Sequence, residues 1–160
     1  MTTHERDSGL YERDYHAWAE QQAALLRRRA DGALVNDAAL DWSNIAGEIE
    51  TLGRSEESGL STAIGTIIEH LMKLRASPAT NPRRVWMETV GRSRDDIERL
   101  LDRNPGLKPK IPKVLVSEMK YARRAVLRAL NLYGEQPPVD VDSLAYTVEQ
   151  VLGDWFPSEC

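Results

Sequence analysis

Residues 41–74 read DWSNIAGEIE TLGRSEESGL STAIGTIIEH LMKL, and this stretch decides the fold. Trp42, Ile45, Ile49 and Leu52 recur three and four residues apart. The same phase runs through Glu56 to Leu60, Ile64, Ile67, Leu71 and Leu74. That spacing marks one apolar face of an α-helix. It predicts a continuous helix from 42 to about 75, capped by Asp41. Gly53, Gly59 and Gly65 each cost such a helix ~1 kcal/mol relative to Ala. A kink or break near Gly53 is therefore the alternative. Ser77-Pro78 ends the element.

Helical patterns continue on both sides. Upstream, Asp14 is a good N-cap type. Tyr15, Trp18, Gln22, Leu25 and Arg29 follow it as a stripe, with Ala19 and Leu26 beside it, and Asp31-Gly32 gives a stop signal. Downstream, Asn81-Pro82 starts a helix whose expected core face is Trp86, Val90, Ile97, Leu100 and Leu101; Asn104-Pro105 stops it. The next helix begins among Lys108–Pro112 and shows Ile111, Leu115, Met119, Ala122, Val126 and Leu130. Asn131 and Gly134 lie at its end. Thr147-Val-Glu-Gln150 reads as a capping box, with Tyr146 and Val151 placed for a hydrophobic staple. That predicts a short last helix over about 148–153, and Trp155-Phe156-Pro157 is expected to pin the tail.

No run alternates long enough to make a strand. The expected fold is therefore all-α: a helical bundle of four to five main helices plus a short C-terminal helix. The expected layout is a polar N-terminal tail over 1–10, one bundle domain over 11–157 and a C-terminal tail over 158–160. The 160 residues suit one domain with a single core. Hydrophobic residues are 41% and charged residues 29%, which argues against wholesale disorder. No apolar run reaches the ~18 residues of a membrane span. The start, MTTHERDSGL, does not read as a signal peptide. The lone cysteine, Cys160, permits no internal disulfide and no cysteine-based zinc site. A cytoplasmic location is the expectation.

The block Asp41-Trp-Ser-Asn-Ile-Ala-Gly-Glu-Ile-Glu-Thr-Leu-Gly-Arg-Ser-Glu56 resembles the signature of domain-of-unknown-function family 29, a bacterial family. Tyr15-His-Ala-Trp18 with Glu20-Gln-Gln-Ala23 is similar to its opening helix. Glu69-His-Leu-Met-Lys73, Ile97 through Pro105, and Tyr146 through Leu152 followed by Phe156-Pro157 resemble further segments of it. The likeness covers roughly residues 11–157. Two departures stand out: Gly47 replaces a usual Glu, which thins the acidic cluster, and Leu74 replaces a usual Trp. The resemblance implies a nearly all-helical fold and no established activity. Its candidate motif residues here are Asn44, Glu48, Glu50, Arg54, Glu56 and His70.

Carboxylates and a histidine on bundle helices are the raw material of di-iron sites, but those sites need Glu-x-x-His pairs on one face. No such pair occurs, and no His-Glu-x-x-His either. The three histidines are His4, His16 and His70. Glu48 and His70 could share a hydrolase or metal site only if the helix folded back near Gly53. The favoured reading is structural: early-turn acids near a helix N-terminus, a Glu50–Arg54 pair at i,i+4, and a boundary histidine. Glu12 and His16 are also four apart, but the cap at Asp14 leaves Glu12 outside its helix. There is no nucleophile elbow and no phosphate-binding glycine loop. No catalytic residues, no metal and no cofactor are expected.

Charge is distributed unevenly. Residues 1–70 carry a net −7, residues 71–134 a net +9 and residues 135–160 a net −6, within an overall −4. The basic segment supplies a candidate surface of Arg83, Arg84, Arg92, Arg94, Lys120, Arg123 and Arg124. Such helices could track a phosphate backbone. They could equally face the acidic ends of their own chain, which is simpler and is preferred here. The expected function is a non-enzymatic intracellular interaction module with an unknown protein partner or self-association. A nucleic-acid-associated protein using the 83–128 surface is the alternative, and no membrane is expected.

Overall fold

The computed structural model describes residues 4–32 and 42–158, with side chains described at 9–32 and 43–158. Among the described residues, six α-helices and two 3-10 segments account for the regular structure and no strand occurs. The helices are α1 (His4–Arg13), α2 (Tyr15–Gly32), α3 (Trp42–Ala76), α4 (Arg83–Arg103), α5 (Ile111–Tyr133) and α6 (Val148–Leu152). The 3-10 segments cover Pro105–Lys110 and Val141–Ser143. The all-α expectation therefore holds. The Asp41 cap, the side chains of His4 and Trp42, and Cys160 lie outside the described residues.

Helix α3 runs unbroken through Gly53, so the alternative of a break there is wrong. Gly53 is instead a packing position. A Cβ added to it would lie 3.4 Å from the Ala19 Cβ and 3.8 Å from the His16 ring, so α2 passes close to α3 at this turn. Helix α1 is an addition to the expected elements, because its polar sequence shows no apolar period. The chain leaves α1 and enters α2 at Asp14, whose Oδ1 accepts the Ala17 N–H at 3.0 Å. That is the expected N-cap geometry.

The described residues form two compact units: residues up to Gly59 with Leu100–Lys108, and Leu60–Arg99 with Pro109 onward. In the first unit the buried apolar side chains are Ala19, Ala23, Ala46 and Leu107. Three polar residues, Asp14, His16 and Asn104, are buried with them. The expected α2 stripe is thus rotated. Its buried face is His16, Ala19 and Ala23, while Tyr15 and Trp18 are half-buried and Leu25 is exposed. Two alanines and the flat His16 ring take that face because they allow the close approach at Gly53. Tyr11, Tyr15 and Trp18 form a ring cluster with centroids 4.8 to 5.8 Å apart. The early α3 stripe is also less buried than its spacing suggests, with Ile45 and Leu52 exposed.

The second unit has a conventional aliphatic core. Leu60, Ile64, Ile67, Ile68, Leu71 and Met72 of α3 are fully buried. Val90 and Ile97 of α4 and Val126 of α5 join them, together with Val141 and Val151. All six expected core residues of α5 are buried, and Val114 with them. On α4 the expected face is only partly right: Trp86, Leu100 and Leu101 are half-buried. Helix α6 carries the expected capping box, with Thr147 and Gln150 bonded reciprocally.

Helix α5 ends at Gly134, the one described residue with positive φ (65°). Its N–H reaches the Asn131 carbonyl, and the Glu135 N–H reaches the Leu130 carbonyl. A side chain there meets the left-handed penalty of ~1–2 kcal/mol. Gly91, inside α4, faces open space: a Cβ added to it would have no neighbour within 4 Å. Gly91→Ala should therefore raise stability by about 1 kcal/mol, and Gly134→Ala should lower it by about that much. Urea unfolding of the two variants checks both signs.

Candidate functional site

The motif residues of α3 do not converge on one centre. Glu50 pairs with Arg27 of α2 and, at 3.4 Å, with Arg54. The pair expected from the i,i+4 spacing is therefore present. Asn44 and Glu48 are exposed. His70 is half-buried, and its Nδ1 lies 2.8 Å from the Thr66 carbonyl one turn earlier. Because α3 is unbroken, the 22 residues from Glu48 to His70 span roughly 33 Å of helix. No fold-back joins them in a shared site. Among the described residues, no group of three or more His, Cys, Asp or Glu side chains is arranged to hold a metal ion.

Glu56 is the motif residue that the fold uses most. Its Oε2 accepts from Asn104 Nδ2 at 2.9 Å, and Arg103 Nη2 lies 4.0 Å from the same oxygen. Asn104 has no exposed surface. Its Oδ1 accepts the His16 N–H at 2.9 Å, and its Nδ2 also reaches the Leu100 carbonyl at 3.0 Å. One amide thus ties α2, α3 and the end of α4 together. Asp14 completes the set. While Oδ1 caps α2, Oδ2 accepts the Gly106 N–H at 2.5 Å. A Cβ at Gly106 would fall 2.6 Å from that same oxygen, so glycine is required for the approach.

His16 lies at the edge of this cluster. Its Nε2 is 3.8 Å from Glu20 Oε1 and 3.7 Å from Glu57 Oε2, and the ring is buried. The ring packs over Gly53 and its backbone is held by Asn104, so the cluster reads as a polar fastener. Sequence reasoning misses Asp14, His16 and Asn104 as a group. In the sequence Asn104 looks only like a stop before Pro105, and Asp14 only like a cap. Their pairing joins residues about 90 positions apart, which spacing within a helix cannot reveal.

The basic candidates divide into two sets. Arg94 donates to the carbonyls of Val151 (2.9 Å), Gln150 (2.9 Å) and Trp155 (2.7 Å), and its guanidinium lies 4.8 Å from the Phe156 ring centre. Burial lowers its pKa, and the nearby Asp154 carboxylate works against that. Arg123 donates to the Leu144 carbonyl at 2.6 Å, and Arg83 to the Leu74 carbonyl at 2.9 Å. These three arginines hold backbone at helix ends and along the acidic tail. Arg84, Arg92, Lys120 and Arg124 are exposed. Arg94 and Arg123 thus join the basic middle to residues of the C-terminal segment through backbone carbonyls. The tail is pinned as expected, with Trp155 also against Tyr146 at 5.7 Å.

The described residues define an all-helical protein in which Glu50, Arg54 and Glu56 of the motif are held in ion pairs and hydrogen bonds. The chain belongs to the family described as Domain of unknown function DUF29, which it matches over residues 10–156. It is also similar in structure to an α-helical protein of unknown function from Rhodospirillum rubrum. The TM-score is 0.73 at 24% identity, over 92% of this chain and 91% of that one. At that identity the likeness is one of fold. Comparison with curated proteins gives no match. Among the described residues, no helix is long and apolar enough to cross a membrane.

Two predictions come from these contacts. Asn104→Ala strips an acceptor from the His16 N–H in a buried setting and a donor from half-buried Glu56. It should cost roughly 2–4 kcal/mol, whereas Glu48→Gln on the exposed face should change stability by less than about 0.5 kcal/mol. Denaturant titration compares them. The Tyr146 hydroxyl is buried with no hydrogen-bond partner. Burial pushes its pKa up to about 12, with the Arg75 charge opposing. The folded state then holds this proton more tightly than the unfolded chain, whose tyrosine titrates near ~10. That contribution is whole below pH ~10 and is lost as pH rises toward 12. Stability between pH 9 and 12 should fall more steeply for the wild type than for Tyr146→Phe, and a parallel fall would refute the assignment.

Proposed function

We propose that this chain is a binding module whose recognition surface is the outer face of α5, and that its partner is an acidic amphipathic segment of another protein. One observation carries this reading. Lys113, Lys120, Arg124 and Arg128 are exposed along α5, interleaved with exposed Val116, Tyr121, Leu127 and Leu132. Helical spacing puts these residues on one side of the helix, opposite Leu115, Met119, Ala122 and Val126. Glu118 is the sole carboxylate of α5. It turns toward α3, where its Oε2 would lie 2.8 Å from a Cβ at Gly65, and burial raises its pKa. The outer face therefore carries positive charge with no opposing carboxylate from its own helix.

Apolar side chains rimmed by charge favour a protein partner. Val116 is 72% exposed and Leu132 79% exposed, and a phosphate backbone would leave both unused. Cations on such a face set orientation and on-rate. The apolar members supply the buried area.

The test uses the full chain with two probes at matched salt: a synthetic helical peptide with Glu on one face and Leu on the other, and a 20-base-pair DNA duplex. The peptide should bind, weaken with salt, and lose about tenfold or more in affinity on Lys120→Glu with Arg124→Glu, a loss of ~1.4 kcal/mol or more. Tighter binding of the duplex, or no binding of the peptide, overturns the proposal.

A further inference from the structure

A second feature, independent of α5, lies where α3 hands over to α4. A cleft of about 240 Å³ is lined by Leu74, Arg75, Ser77, Pro78, Thr80, Arg83 and Pro138. Its lining residues include two arginines, a serine and a threonine, and no aspartate or glutamate. The neighbouring Glu135 carboxylate takes the Ser77 hydroxyl at 2.6 Å and lines a different cleft, with Lys73 and Trp86.

The local chain geometry builds this arrangement. Arg75 comes from the last turn of α3, and Arg83 is the first residue of α4. The turn between them is fixed by Ser77, whose Oγ accepts the Ala79 N–H at 3.1 Å, and by the Arg83 N–H to the Thr80 carbonyl at 3.3 Å. Arg83 Nη1 holds the Leu74 carbonyl at 2.9 Å. A guanidinium has five N–H donors, so this clamp fixes the group in place while leaving donors for a ligand. The N-terminal end of α4 adds the positive pole of a 21-residue helix.

We infer that this cleft binds the phosphate group of a small phosphate monoester. Two positive charges, one of them held in place, beside a helix N-terminus match a dianion better than a monoanion. Phosphate monoesters are largely dianionic at pH 7, with a second pKa near ~6. Planar guanidiniums bind such oxygens in bidentate fashion. Leu74, Pro78 and Pro138 form apolar walls for the organic part. The volume lies below the ~300–1,000 Å³ of drug-sized ligand sites, which suits a compact molecule.

The experiment uses ¹⁵N-labelled full chain at constant ionic strength, titrated with phenyl phosphate and with phenyl sulfate. The two have the same ring and a tetrahedral head, but the sulfate ester carries one charge. Phenyl phosphate should bind saturably, with shifts centred on Ser77, Thr80 and Arg83. It should bind about tenfold more tightly than phenyl sulfate at pH 7.5, and that advantage should shrink at pH 5.5 as the phosphate takes up a proton. Arg75→Gln should weaken phenyl phosphate about tenfold. Arg83→Gln should do so as well, but it also releases the Leu74 carbonyl, so Arg75→Gln carries the test should the other fail to fold. Lys120→Glu should leave it unchanged, which separates this cleft from the α5 face. Vesicles bearing phosphatidic acid should not displace phenyl phosphate, which distinguishes a free monoester from a lipid headgroup. Equal affinity for the two esters, absence of saturable binding, binding unaffected by Arg75→Gln, or displacement by vesicles overturns the inference.

Discussion

The amide of Asn104 is the interaction on which the first unit depends. That unit buries alanines, one leucine and three polar residues. Alanine side chains release little free energy on burial, because the gain scales with apolar area. Hydrogen bonds must therefore fix the geometry. Asn104 accepts from the α2 backbone, donates to Glu56 of α3 and closes on its own helix at Leu100. Asp14 does the same from the other side through Ala17 and Gly106. A neutral amide suits this position better than a charge, since burial of an ion costs more and demands closer pairing. The second unit needs no such device. Its aliphatic side chains from α3, α4 and α5 supply the area directly.

The arginines act through the same matching of donors to acceptors. A carboxylate can satisfy one guanidinium edge, but a helix end presents several carbonyls at once. Arg94 takes three of them from the last turn of α6 and the tail, with Phe156 beneath its plane. The four C-terminal carbonyls of a helix have no partners within it, so this use of positive charge satisfies acceptors that the five-residue α6 leaves open. The net +9 of the middle segment therefore includes arginines bonded to backbone, cations beside carboxylates such as Lys73–Glu69 and Arg99–Asp96, and exposed cations on α4 and α5. Surface pairing with acidic residues alone would contribute little, because exposed ion pairs are worth ~0–1 kcal/mol.

Much of the fold is legible in the sequence because it rests on local rules. The period from Leu60 to Leu74, the α5 stripe from Ile111 to Leu130, and the Thr147–Gln150 box all follow from helix geometry and capping chemistry. The reading fails where a distant partner decides the outcome. Trp18 and Leu25 look like the buried face of α2, yet His16, Ala19 and Ala23 occupy it, because the approach to Gly53 tolerates only small or flat groups. Gly53 looks like a break, and only the facing helix reveals it as a contact. The candidate site shows the same division. The Glu50–Arg54 pair is local and visible in the spacing. The Asp14–Gly106 and His16–Asn104 bonds span about 90 residues, and no periodicity encodes them.

This division bears on where function resides in the chain. Glu50, Arg54 and Glu56, in the string that most resembles the family, are held in ion pairs and hydrogen bonds within the first unit. Gly53, in the same string, is held by packing. The two proposed binding places use other groups: Lys120 and Arg124 on α5, and the remaining donors of Arg83 in the α3–α4 cleft. Both places belong to the second unit, whose aliphatic core can tolerate exposed apolar side chains on its surface. A signature that secures the fold in this way accounts for the scaffold, and the proposed binding places draw on residues outside it.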